Sequence, residues 1–300
     1  MVSFYRSLAI ILVLMLGVGL SPNSILAINN DELQIRYFDL EADRKSGDAI
    51  LIVSPDGRTL LIDAGIAETG IQLSNDLGQL GIDHIDYAVA THPHHDHIGG
   101  YLTILEQVEV GTLLLPDLTH STKAYSAFKK LILAKDVDYK YVKEGDRFYL
   151  GNEVEIEVLH PSQEMLEQVK REKLSTSEMN NLSLVLKVTY KNNTFLFTSD
   201  LYKKLEKELL EKKKDVLQAD LLHAPHHGDR TSSSIDFIDA VNPKYIIISA
   251  NILQSKKVIN RYVKRGSKVL ATRINGDILI RSDGDNISVI TEKENGDRLF

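Results

Sequence analysis

The chain has 300 residues, 43% hydrophobic and 26% charged, with a formal net charge of −7. That balance suits a globular protein and argues against indiscriminate binding to nucleic acid. With no cysteine present, disulfides, thiolate metal ligands, a cysteine nucleophile and a lipidated cysteine are excluded together, and any metal site has to use His, Asp and Glu.

Residues 1–27 read as a targeting segment. Arg6 gives a positive n-region, Leu8–Leu20 an uncharged apolar run, and Ala27 a small residue suited to cleavage after a polar stretch with Pro22. The run falls short of the ~20 apolar residues of a spanning helix. A cleaved signal peptide is therefore expected, with an uncleaved N-terminal membrane anchor as the alternative. Either way, residues 28–300 are expected to be secreted or extracytoplasmic.

From Leu33 onward short apolar runs alternate with amphipathic segments. The runs over 33–40, 49–53, 59–65 and 85–91 read as strands rich in Ile, Val and Leu. Helices are expected over 68–80 and 121–135. The middle returns to strands over 153–161, 182–190 and 193–200, where "EVEIEVL" has the period of two that marks a half-buried strand. The end reads as αβ units: strands 219–225, 244–249 and 268–272, with helices 233–241 and 255–265. Residues 162–181 form the one long polar stretch, expected as an exposed loop or short surface helix. No repeat at a fixed period of ~20–50 residues occurs.

Seven of the ten histidines lie in two short windows, 92–97 and 223–227. The first, "THPHHDHIGG", follows a strand and leads into a helix, so rigid flanks can hold it. His92 and His94 can point the same way in an extended segment, and Asp96 and His97 follow after a turn. Two ligand pairs from one loop suit two adjacent ions, and imidazole with carboxylate matches Zn(II) best, Mn or Fe being alternatives. Further groups sit at strand ends: His160, Asp200, and His223, His226 and His227. Strand-end loops on one sheet edge meet in space. Against this, Asp200 could simply cap the helix that follows, His160 could be a turn residue, and His223 could be a buried strand residue.

In this order "LLIDAG", "THPHHDHIGG", "FLFTSD" and "APHHGD" resemble the metallo-β-lactamase superfamily, whose hallmark is H-x-H-x-D-H. Within it, "SGDAILI", "NNLSLVLKV", "ADLLHAPHHG" and "NPKYIIISA" are similar to the ComEC-type branch of DNA-uptake proteins, and to bacterial phosphorylcholine esterase domains. The resemblance spans roughly residues 33–291. It implies an α/β fold, an αββα sandwich, forming one hydrolase domain with two metal ions at an edge. His92 and His94 would bind one ion with His160 as third ligand. Asp96 and His97 would bind the other, with one of His226 and His227, and Asp200 would bridge. Asp96 would also orient the attacking group, making it the candidate catalytic residue, and Asp63 would buttress the loop. His95 would stay outside. Two departures from the branch, the charged "FDLEADRKSGDA" and the missing histidine after Asn251, border the expected cleft.

Two ions ~3.5–4 Å apart can hold a bridging hydroxide for attack on phosphorus or a carbonyl carbon. The expected activity is that of a phosphodiesterase or nuclease, with extracellular DNA a candidate partner. An esterase on choline phosphate esters and a non-catalytic exported binding module are the alternatives. The hydroxyls of 231–234 read as a helix cap or as phosphate contacts. Residues 244–273 contain eight Lys and Arg and no acid. Within them, Lys256 and Lys257 in the first turn of a helix oppose its dipole, which points to phosphate attraction and makes them candidate substrate-binding residues. A solvated helix face is the competing reading.

Overall fold

The computed structural model describes residues 31–43, 45–169 and 173–293. The targeting segment expected over 1–27 lies outside the described residues. The first sheet begins with β1 (Leu33–Tyr37), β2 (Ile50–Val53), β3 (Thr59–Ile62), β4 (His84–Val89), β5 (Glu109–Leu115) and β6 (Asp138–Tyr141). A second sheet takes β7 (Arg147–Leu150), β8 (Val154–His160), β9 (Val185–Tyr190), β10 (Asn193–Phe197), β11 (Leu221–His223), β12 (Tyr245–Ile248) and β13 (Lys268–Ala271). The chain then returns to the first sheet with β14 (Ile278–Ser282) and β15 (Ile287–Thr291), which add beside β1.

The sheets face each other, and the period of two along each strand decides which layer a side chain joins. Ile50 and Ile52 of β2 point into the inter-sheet core, where they join Leu60, Ile62, Ile156, Val158, Leu186 and Ile247. Leu51 and Val53 point the other way, under the helices that cover the first sheet. In the second sheet, Leu221 and Ile247 face inward while Leu222, Ile246 and Ile248 pack beneath outer helices. Strands buried on both faces explain why so many read as unbroken apolar runs. The result is the expected αββα sandwich.

The helices on the first sheet are α1 (Gly70–Gln79), the single turn α2 (His95–Ile98), α3 (Tyr101–Gln107) and α4 (Lys123–Ala134). The polar stretch 162–181 holds two short helices, α5 (Gln163–Val169) and α6 (Thr176–Asn180), whose Leu166 and Met179 join Leu118 and Leu182 in a small apolar cluster. The second sheet is covered by α7 (Lys203–Lys213), α8 (Ile235–Val241) and α9 (Lys256–Val263). Among the described residues no helix is long and apolar enough to cross a membrane.

Strands β1–β3 pair antiparallel, and β3–β6 run parallel. The second sheet repeats the scheme, with β7–β10 antiparallel and β10–β13 parallel. Carboxyl ends of parallel strands form the usual crevice of α/β sheets. Hydrogen bonds tie the loop after β3 to the one after β4, and the loop after β11 to those after β10 and β12. Thr91 Oγ1, 2.8 Å from Ser199 Oγ, links the two sets, so both halves of the chain contribute to one edge.

Candidate metal centre

His92 leaves the end of β4 and is buried, and His94 is the extended N-cap residue of α2, which carries Asp96 and His97. This loop is held from behind by Asp63. Asp63 accepts from the Thr91 amide at 2.8 Å, from Thr91 Oγ1 at 2.7 Å and from His97 Nδ1 at 2.7 Å. The expected buttressing position of Asp63 is thus where the carboxylate lies. With its Nδ1 proton committed to Asp63, His97 would offer the Nε2 lone pair to a metal ion on losing its second proton, which is how an outer carboxylate fixes a metal-binding histidine. Two glycines let neighbouring backbone close in. A Cβ on Gly47 (φ 79°) would lie 1.6 Å from the Asp96 carbonyl oxygen, and one on Gly100 would lie 1.9 Å from that of Ala64.

The second half contributes Asp200 after β10 and the two histidines after β11. His226 (φ 51°) and His227 (φ 52°) are successive left-handed residues, and Asp63 (φ 57°) and Ser199 (φ 45°) share that conformation. Each costs of order 1–3 kcal/mol, and such residues persist only where surrounding contacts over-determine them. Those contacts are present: His227 Nδ1 donates to the Ser249 carbonyl at 2.9 Å, and His226 Nδ1 lies 2.7 Å from Thr231 Oγ1. Ser232 Oγ donates to the Pro225 carbonyl at 2.6 Å, and the buried Glu206 accepts from the amides of Ser233 and Ser234. The hydroxyls of 231–234 therefore brace the histidine loop, and Ser234 also caps α8.

The ring nitrogens converge on Asp200. Its Oδ1 lies 3.3 Å from His227 Nε2 and 3.5 Å from His97 Nε2, while Oδ2 lies 3.7 Å from His226 Nε2 and 3.9 Å from His92 Nε2. Two groups of candidate ligand atoms result: Asp48, His97, Asp200 and His227, and His92, His94 and Asp200. The Nε2 atoms of His94, His97 and His227 and Asp200 Oδ1 are buried without a hydrogen-bond partner. Buried polar atoms are rarely left so, and two divalent cations, one per group, would satisfy all four. The donors fit a pair of ions sharing one carboxylate.

Charge within the protein is distributed to match. Burial alone would raise the Asp200 carboxyl, but His227 and His97 outweigh it and hold Asp200 well below the usual carboxylate range. Burial would lower His97, yet Asp200 and Asp63 push it well above the ordinary imidazole value. His227 rises to about 10, burial being outweighed by Asp48 and Asp200. Burial and the neighbouring His97 depress His92 strongly and bring His94 to about 4. His92 and His94 are thus neutral near pH 7, the form that ligates, whereas His97 and His227 must each release a proton to a metal ion.

Not every expected residue joins these groups. His160 is buried, but its Nε2 is engaged by the Asn181 carbonyl at 2.9 Å, and the neutral side chain beside Asp200 is that of Asn180, at 3.3 Å. Asp96 is half-buried, with Oδ1 3.7 Å from His95 Nδ1, and belongs to neither group. His95 is exposed. His226 stands next to Asp200 but is left out of both groups, so of the two candidates His227 is the one enclosed with His97. Lys256 and Lys257 are exposed in the first turn of α9, at the edge where β12 ends. Sequence reasoning missed Asp48 and Asn180. The Gly-Asp pair before the wholly apolar β2 was the available signal for the first, and the polar Asn180–Asn181 pair before β9 for the second. His120, whose ring centroid is 5.6 Å from that of His94, was also missed.

Fold and clustered donors together define a metal-dependent hydrolase. The chain belongs to the metallo-beta-lactamase superfamily, whose profile matches residues 42–250. It is 29% identical over 206 residues to ComE operon protein 3 of Bacillus subtilis, covering 67% of this chain and 25% of that protein. It is 27% identical over 288 residues to Competence protein ComA of Neisseria gonorrhoeae, covering 89% and 36% respectively. The chain thus spans only a quarter to about a third of these relatives. In fold it is similar to CmlA, a diiron beta-hydroxylase from Streptomyces venezuelae, with a TM-score of 0.52, 14% identity, and coverage of 84% of this chain and 54% of that one.

Proposed function

We propose that the chain is an exported phosphodiesterase of the ComEC-type branch, with two zinc ions at its centre and a nucleic acid as its substrate. The observation that carries this reading is Asp200, whose two oxygens each face a different set of histidine nitrogens. When bound, such a pair of ions would supply Lewis acidity toward a phosphoryl oxygen and lower the pKa of water toward neutrality.

The residues of the chain do the holding and orienting. His92 and His94 would hold one ion and His97 and His227 the other, with Asp200 available to both. His226 lies beside Asp200, and Asp96, next to His97 in the chain, would orient the attacking group. Asp63 and the Ser249 carbonyl fix the rings of His97 and His227. Imidazole and carboxylate donors without thiolate favour zinc, and manganese or iron accept the same set. Lys256 and Lys257, at the start of α9 on the same edge, supply positive charge for a polyanion. The names of the competence-protein relatives support DNA as that polyanion, and the apolar segment before Ala27 supports export.

One feature favours a second reading. A cavity of about 730 Å³ beside the loop 39–43 is lined by Asp39, Glu41, Asp43 and Glu68 against Arg273 and Lys293. Asn251, which also lines it, accepts from the Ser46 amide at 3.0 Å, so the cavity adjoins the segment that presses on the metal loop. Its acidic side suits a substrate with a cationic end, such as a choline phosphate ester.

The test is a substrate panel on the full chain loaded with zinc: DNA, a small uncharged-ended phosphodiester and a choline phosphate ester. DNA cleavage is expected, lost on chelation and restored by zinc. The Lys256→Ala, Lys257→Ala pair should raise KM more than it lowers kcat and reduce the log–log salt slope by about 1.5–2. Preference for the choline ester with an unchanged salt slope establishes the second reading. A protein holding two ions that cleaves no phosphodiester overturns both. N-terminal sequencing of the secreted chain should start near Ile28.

A further inference from the structure

Asp48 belongs to the first group of candidate ligand atoms but faces the opposite side of the His97 and His227 rings from Asp200. Asp48 is 1% exposed, yet among the described residues neither of its carboxylate oxygens accepts a hydrogen bond of good geometry. An ionised carboxylate taken from water without compensation costs several kcal/mol, so its surroundings have to account for it. Three imidazoles face it: His227 Nδ1 at 3.2 Å, His223 Nε2 at 3.4 Å and His97 Nδ1 at 4.0 Å. His223 Nε2 is itself buried without a partner.

The side of each ring that faces Asp48 decides what it can do. His97 and His227 turn Nε2 toward Asp200 and Nδ1 toward Asp48. The two nitrogens of an imidazole point to nearly opposite sides, so an ion held by both Nε2 atoms and Asp200 has Asp48 behind the rings. We propose that Asp48 is a positioning residue for one of the two ions: it sets the orientation and raises the basicity of His97 and His227 from behind, and His223 holds it in place. This rests on the two-metal reading of the centre.

The loop carrying Asp48 is built to stay there. Gly47 lies against the backbone of Asp96, where no side chain fits. The Ser46 carbonyl accepts from the Ile66 amide at 3.0 Å and the Asp48 carbonyl from the Gly65 amide at 2.8 Å. His223, for its part, is fixed by packing, its ring 5.8 Å from that of Tyr37 and 6.4 Å from that of Phe197. Asp63 already takes the Nδ1 proton of His97, and the Ser249 carbonyl that of His227. Asp48 therefore adds a negative charge shared by both rings rather than a first hydrogen bond to either. His92 and His94 do not face it, so its influence falls on one ion and spares the other.

The experiment is stepwise removal of zinc from the full chain by a competing chelator, for wild type, Asp48→Asn and His223→Phe. Asp48→Asn keeps shape and volume, and His223→Phe keeps the packing against Tyr37 and Phe197 while removing the ring nitrogens that face Asp48. Loss of an outer partner lowers metal affinity ~10–100-fold. Asp48→Asn should weaken one ion by that factor with the other changed less than about threefold, and His223→Phe should weaken the same ion by a smaller factor. Wild-type affinity for both ions in Asp48→Asn overturns the proposal. Should that variant not fold, wild-type affinities in His223→Phe overturn it instead. A wild-type chain that takes up no metal sinks the two-metal reading itself, and so is a separate result.

Discussion

Replacing Asp200 with alanine tests whether one carboxylate serves both ions. Its Oδ1 faces His97 and His227 and its Oδ2 faces His92 and His226, so the substitution removes a ligand from each set at once. Each ion present at a hundred times its dissociation constant stabilises the fold by about 2.7 kcal/mol, hence by about 5 kcal/mol for two. In a domain of this size each kcal/mol moves the melting midpoint by roughly 2–4 °C, so zinc should raise the wild-type midpoint by about 10–20 °C. For Asp200→Ala that rise should shrink to a few degrees, and fewer than one ion should remain per chain. Because the substitution also strips a buried partner from His97 and His227, the quantity to compare is the zinc-induced shift within each protein, measured by calorimetry beside elemental analysis. An Asp200→Ala chain that keeps two ions, or more than half of the wild-type shift, refutes the sharing.

Asp63→Asn should act through the His97 ring: an amide turned toward Nδ1 favours the tautomer with the proton on Nε2, removing the lone pair meant for metal. A loss of ~10–100-fold in affinity for one ion is expected, and unchanged chelator titrations would show that Asp63 does not set the tautomer. Glu206→Ala strands the buried Ser233 amide and loosens the loop of His226 and His227, so urea unfolding of the metal-free protein should show a loss of about 1–3 kcal/mol. A change within a few tenths would mean that the loop holds without it. Asp76 on α1 has its carboxyl raised to about 6 by burial and by Asp277. A raised carboxyl contributes stability in its protonated form, and that contribution is lost as pH rises through about 6. The melting midpoint of Asp76→Asn should therefore exceed that of wild type at pH 7.5, with the gap closing as pH falls toward 4. A gap independent of pH counts against this.

How far the sequence carries can be seen residue by residue. Strands such as β2 and β12 were legible because both of their faces are buried, leaving unbroken Ile, Leu and Val. β6 and β7 were not: they are four-residue edge strands, "DYKY" and "RFYL", in which only Leu150 is buried, so neither shows a long apolar run. β14 and β15 belong to the first sheet although they follow the strands of the second in sequence, a pairing no local pattern announces. In the site, the paired histidines and Asp200 were readable from spacing at strand ends. Asp48 was not, since its meaning comes from His97, His223 and His227, all distant in sequence. His160 had the right position in the motif order, but a carbonyl took its Nε2.

The division of the donors between the two halves of the chain also constrains when the protein can acquire its ions. His92, His94 and His97 precede their counterparts Asp200 and His227 by more than a hundred residues, and the sheet bearing the first three is completed only by β14 and β15. Until both halves have been made and their two sheets have docked, there are only scattered imidazoles, each a weak ligand. Any ion that occupies the centre would then be taken up where folding finishes, from among those that compartment supplies.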